Sequence, residues 1–98
     1  MKILDNKTTN ITIAKDQLAK YSDLLFFVFN KPLDEGVTLS DMRKFLRVMK
    51  AIEDAKDSNK IQFEDDDYSL VASKVEHSIW SVVSIDIIEF SDYIQSFK

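Results

Sequence analysis

The chain has no cysteine, one glycine, one proline and one histidine among its 98 residues. Without cysteine there can be no disulfide, thiolate zinc site or cysteine nucleophile, so packing alone must hold the fold. A single glycine, Gly36, is too few for a glycine-rich phosphate loop or a dinucleotide fingerprint. Few glycines and prolines also argue against all-β architectures, which need many tight turns. His77 has no second histidine or cysteine with which to build a transition-metal site, and no serine carries a local triad signature. Near a helix C-terminus, a lone histidine more simply complements the helix dipole. No stretch approaches the roughly 20 apolar residues that span a bilayer, and MKILDNKTTN lacks the apolar run of a signal peptide. An intracellular location follows as the expectation, and with it the glycosylation triplets at Asn6 and Asn10 carry little weight.

What is present favours helices. Hydrophobic residues make up 45% of the chain, enough for one core, and the length predicts a single domain over residues 1–98. The net charge of −4 is unevenly spread. Residues 1–63 hold 11 basic and 9 acidic side chains, and residues 64–98 hold 2 and 8, so the two parts carry +2 and −6. Such an imbalance bears on solubility and partner choice and leaves the fold open.

The best-specified stretch is GVTLSDMRKFLRVMKAIEDAK, residues 36–56. On a helix it aligns Leu39, Met42, Phe45, Leu46, Met49 and Ile52, with Val48 at the margin and Arg43, Lys44, Arg47 and Lys50 opposite. Thr38 is the predicted N-cap, with Asp41 at the third helical position. Three further helices are predicted. The first runs over 14–30, capped by Thr12, with Leu18, Tyr21, Leu25, Val28 and Phe29 as its stripe, and ends at Asn30-Lys31-Pro32. Its LLFFVF run, residues 24–29, predicts burial nearly all round. The others run over 66–77, with acids at its start, and 85–97, capped by Ser84, with Ile87, Phe90, Ile94 and Phe97 inward. Ile3 and Leu4, followed by the local alternation of NITI at residues 10–13, predict at most one or two short strands near the N-terminus, and Ile61 to Phe63 alternates and predicts a short strand pairing with that segment. The expected fold is therefore mainly α, a compact bundle of about four helices, with room for a minimal two-stranded β element (α+β).

No motif carries catalysis, so a non-enzymatic protein without cofactor, metal or small-molecule substrate is expected. An EF-hand register begun at Asp57 fails at Ile61, Gln62 and Tyr68, and registers begun at Asp65 or Asp66 fail at the required glycine. Three surfaces remain as candidates. The basic stripe Arg43, Lys44, Arg47 and Lys50 could be a solvated face, or meet an acidic protein, or meet a nucleic acid. It lacks the Asn or Gln that reads base edges. The acids Asp65, Asp66 and Asp67 could imitate nucleic acid and block a basic host protein, although capping and solvation account for them. Phe26, Phe27, Ile85 and Ile88 fall off their stripes, and either complete the core or form a patch for self-association or a protein partner. A chain this small must bury most large side chains, which favours the core.

The order GVTLSDMRKFLRVMKAIEDA, IQFEDDDYSLVASKVE and WSVVSIDIIEFSDYI, spanning about residues 36–94, resembles small uncharacterised proteins encoded by tailed bacteriophages and prophages. That resemblance implies an accessory or virion-assembly role, in the host cytoplasm or in the virion, and supplies no catalytic residue.

Overall fold

A computed structural model describes residues 1–30, 36–80 and 83–97. The elements run β1 (Lys2–Asp5), β2 (Thr8–Ala14), β3 (Gln17–Lys20), α1 (Tyr21–Phe29), α2 (Leu39–Asp54), β4 (Lys60–Phe63), α3 (Asp65–Glu76) and α4 (Ile85–Ser96). The fold is α+β, with two antiparallel two-stranded sheets beside the four helices among the described residues. It is not the compact four-helix bundle expected from the sequence.

The correction comes from residues 8–20. Thr8, Thr9, Ile11, Thr12 and Ile13 are β-branched and favour extended backbone, and they form β2, which turns at Lys15 and Asp16 into β3. The turn carries neither glycine nor proline; Asp16 supplies the positive φ of 63°, a conformation aspartate adopts more readily than most residues. Thr12 therefore pairs across the hairpin with Leu18 and caps no helix. Inside the hairpin, Thr9 Oγ1 donates to the Ala19 carbonyl at 2.7 Å.

The strand read from Ile61–Phe63 is present. β4 pairs with β1 in the register Leu4↔Ile61, which turns Leu4, Ile61 and Phe63 inward and leaves Ile3 and Gln62 outside. Asp5 and Lys60 form an ion pair across the same ladder.

Asn6 joins three segments. Its Oδ1 accepts from the Ser22 N–H at 2.9 Å, satisfying a donor in the first turn of α1. Its side-chain nitrogen reaches the Ala55 and Ser58 carbonyls, each at 2.9 Å, just past α2. Buried with its amide fully engaged, Asn6 offers no glycan acceptor.

Helices α2 and α4 begin as expected: Thr38 Oγ1 accepts from Asp41 N–H and Ser84 Oγ accepts from Asp86 N–H, both at 3.2 Å. Helix α3 starts among its acids and ends at His77, whose Nδ1 lies 2.9 Å from the Ser73 carbonyl. The core draws on every sheet and helix and is centred on Leu25, Val28, Phe63, Tyr68, Phe90 and Ile94. Tyr68 donates to the Ile94 carbonyl at 2.7 Å and Gln95 to the Ala72 carbonyl at 2.8 Å, fastening α4 to α3. Burial pushes the Tyr68 phenol far up, so it stays a donor across the whole accessible pH range. The predicted helix end at Lys31 and Pro32 lies outside the described residues.

Candidate functional site

The orientation of α2 decides which side chains the protein presents. Val48, Ile52 and Ala55 are buried, and at 3.6 residues per turn they form one line along the helix. Leu39, Met42 and Leu46 form another, roughly 150° away. Those three are 71%, 42% and 65% exposed, against 1% for Val48. The helix is thus turned by roughly a quarter revolution from the orientation that its full apolar arc predicts. Val48, placed at the margin by periodicity, is the centre of the buried face.

An ion pair accounts for this rotation. Asp67, in the first turn of α3, is almost wholly buried, and Arg47 grips it with two hydrogen bonds, Nε to Oδ2 at 3.0 Å and Nη2 to Oδ1 at 2.7 Å. A buried carboxylate left unpaired is expensive, and the planar guanidinium matches both of its oxygens. The same bonds push the Arg47 pKa up. Meeting Asp67 requires the Arg47 side of α2 to face α3. Phe45 then packs between Phe29 of α1, at 5.5 Å between ring centroids, and the Lys74 ammonium of α3, 5.7 Å from its ring. Leu39, Met42 and Leu46 are left facing outward.

The predicted basic stripe is divided by this geometry. Arg47 is committed to Asp67, Lys44 is half-buried, and Lys50 lies 3.3 Å from Asp54 one turn on. Arg43 is exposed, has no ion pair among the described residues, and stands beside Leu39 and Leu46. The acidic run is divided too. Asp67 is internal, Asp65 meets the amine of Met1 at 2.9 Å, and Asp66 is exposed. The Met1 amine holds the Asp65 carboxyl below its usual range.

The off-stripe residues are not absorbed by the core. Phe26 and Phe27 are 48% and 44% exposed, and Ile85 and Ile88 are exposed on α4. Burial nearly all round therefore fails for α1, because it covers the core with one side only. Phe27 stacks on Trp80 at 5.5 Å, and Trp80 in turn meets Phe90 edge-on at 6.2 Å. Phe26 lines an open groove of about 490 Å³ with Ile13, Ser22, Ile52, Glu53 and Lys56. Ile52 and Glu53 continue the course of α2, so this groove opens at the C-terminal end of the helix that carries Leu39, Met42 and Leu46.

The sequence signal for the site was present in the wrong role: an apolar arc spanning about half of a helix is more than one core contact covers. Among the described residues no group of three or more His, Asp or Glu side chains is arranged to hold a metal ion, and no helix is long and apolar enough to cross a membrane. No protein-family model matches the chain, and neither does any curated protein or solved structure.

Proposed function

We propose that the protein is a non-enzymatic interaction module that docks a protein partner on the outward face of α2 and the adjoining Phe26 groove. The observation that carries this reading is the outward line Leu39, Met42 and Leu46 on a well-capped helix whose opposite side supplies the core. Three large apolar side chains aligned at i, i+3 and i+7 are the pattern that receives an amphipathic helix. Arg43 borders this line beside Leu39 and Leu46, so the partner presents apolar side chains together with a carboxylate. The resemblance to small phage proteins gives the setting, an accessory or virion-assembly role in the host cytoplasm or the virion.

The nucleic-acid alternative loses support, because Arg47 is occupied by Asp67 and Lys50 is shared with Asp54, leaving Arg43 and half-buried Lys44 as the stripe's uncommitted cations among the described residues. Blocking a basic host protein through Asp65–Asp67 loses support likewise, since Asp67 faces inward.

The test is affinity capture from the native host or infected cell with the unmodified protein and with the Leu39→Ser/Leu46→Ser double variant. The expected result is one protein captured by the former, lost with the latter, and rebound when both are purified. Equal capture by a correctly folded double variant removes the proposal. Concentration-dependent mass of the purified protein alone would assign the surface to a second copy, and nuclease-sensitive capture would assign it to nucleic acid.

A further inference from the structure

A second recessed surface lies away from α2, where β2 and the start of α1 meet α4. It is a cleft of about 500 Å³ lined by Lys7, Thr8, Thr9, Tyr21, Asp86, Glu89, Asp92 and Tyr93. Its chemistry is that of a cation receptor. Asp86, Glu89 and Asp92 follow one another at three-residue intervals, which spreads three carboxylates over roughly 9 Å of helix at 1.5 Å per residue. Asp86 is partly engaged, accepting from the Asn10 N–H at 3.2 Å. Glu89 and Asp92 have neither an ion pair nor a hydrogen bond among the described residues. Two tyrosines line it, their rings 5.6 Å apart between centroids.

Two observations independent of the acids point to a ligand. Tyr21 is only 6% exposed, yet its hydroxyl meets no hydrogen-bond partner among the described residues; no polar side-chain atom of that set is both sealed from solvent and unpaired, so this hydroxyl opens into the cleft. Burial first, and then the negative field of Glu89, Tyr93 and Asp86, pushes its phenol up, keeping the oxygen protonated and in a negative potential. The second observation is Lys7, whose ammonium sits 4.3 Å from the centroid of the Tyr93 ring, the distance of a cation–π contact. The cleft already holds one ammonium against its aromatic wall, and three carboxylates facing one lysine leave it with two negative charges uncompensated.

From this geometry we infer that the cleft binds an organic cation, an alkylammonium or guanidinium group, with Glu89 and Asp92 as its counter-ions, the Tyr21 hydroxyl oxygen as an acceptor for its N–H groups and the Tyr93 ring as its apolar contact. The carboxylates do not converge as metal ligands do, which suits an extended cation that carries its charge on a carbon skeleton over a point ion. Such a group arrives on a free polyamine or on the lysine and arginine side chains of a basic peptide, and Lys7 competes with either for the Tyr93 ring. This site does not depend on the docking face proposed for α2.

The experiment uses the full chain and three probes at matched ionic strength: spermidine, an arginine-rich hexapeptide and magnesium ion, followed by NMR shifts of the Tyr21 and Tyr93 ring protons. Either organic probe should move both rings with a saturable curve, and magnesium should not. Spermidine alone binding assigns a polyamine, and the peptide binding more than tenfold tighter assigns a basic protein segment. Glu89→Gln and Asp92→Asn, at side chains with no partner to lose, should each weaken the tighter probe at least fivefold. Tyr21→Phe should weaken it by a smaller factor, and Lys7→Met should strengthen it. Absence of saturable shifts with both organic probes overturns the inference. So do binding unchanged in Glu89→Gln and Asp92→Asn, or magnesium reproducing the same shifts.

Discussion

The two sides of α2 have similar apolar content and opposite fates. Val48, Ile52 and Ala55 are sealed in the core, while Leu39, Met42 and Leu46 face solvent. Periodicity shows which side chains align on a helix; it does not say which part of a wide apolar arc turns inward. Here the choice falls with a polar contact, the Arg47 grip on buried Asp67, because misplacing a charge costs more than exposing a leucine.

The contrast can be broken most severely from its buried side. Truncating Ile52 to alanine should destabilise the protein by about 3 kcal/mol, within the usual range for an isoleucine lost from a packed core. Chemical denaturation measures it, and a loss under about 1 kcal/mol would mean that this side of α2 is not core.

Next in size is Asn6→Ala, which removes the amide linking the start of α1 to the chain after α2. It leaves a helix donor and two carbonyls without their partner, and about 2 kcal/mol should be lost. Hydrogen exchange should quicken at Ser22 ahead of the α3 amides.

The ion pair sharpens the contrast through an asymmetry. Arg47→Ala strands a buried carboxylate, whereas Asp67→Asn strands a guanidinium that is half exposed and can be hydrated. The arginine variant should therefore melt lower than the asparagine variant, and the double variant should recover part of the difference. Equal melting of the two single variants would reduce the pair to a surface contact.

The smallest expected effect is on pH dependence, at the β1–β4 ladder. Lys60, by hydrogen bond and then by charge, with Lys7 adding slightly, holds the Asp5 carboxyl below its ordinary value. A depressed carboxyl stabilises the fold fully above its unfolded pKa, and that contribution fades as the pH falls through the lower folded value. Acid below about pH 4 should loosen the ladder slightly, and Asp5→Asn should abolish that part of the dependence.

Much of the architecture was legible because local chemistry and tertiary packing agree. Thr38 and Ser84 cap their helices as their side chains predict, and the alternation at Ile61 to Phe63 does mark a strand. The hairpin was half legible: the alternation of NITI does fall in a strand, but the turn uses Asp16 in a left-handed conformation without glycine, and Leu18 happens to fall in helical register with Tyr21, Leu25 and Val28. Of the candidate surface residues, all but Lys44 and Asp67 are exposed, the off-stripe Phe26, Phe27, Ile85 and Ile88 included. The inward turn of Asp67 was hidden because its two neighbours in the acidic run are exposed, so the run resembles a solvated helix start. Leu39, Met42 and Leu46 read as core for a related reason: nothing local distinguishes them from Val48, and only the position of α3 does.

The most direct measurement of that claim is the unfolding free energy of Val48→Ala set beside that of Leu46→Ala. An inward Val48 and an outward Leu46 predict a loss of about 2 kcal/mol for the valine variant and a change within about 0.5 kcal/mol for the leucine variant. The reverse order, with Leu46→Ala the more damaging although it faces solvent here, would contradict the rotation of α2 and the docking face built on it.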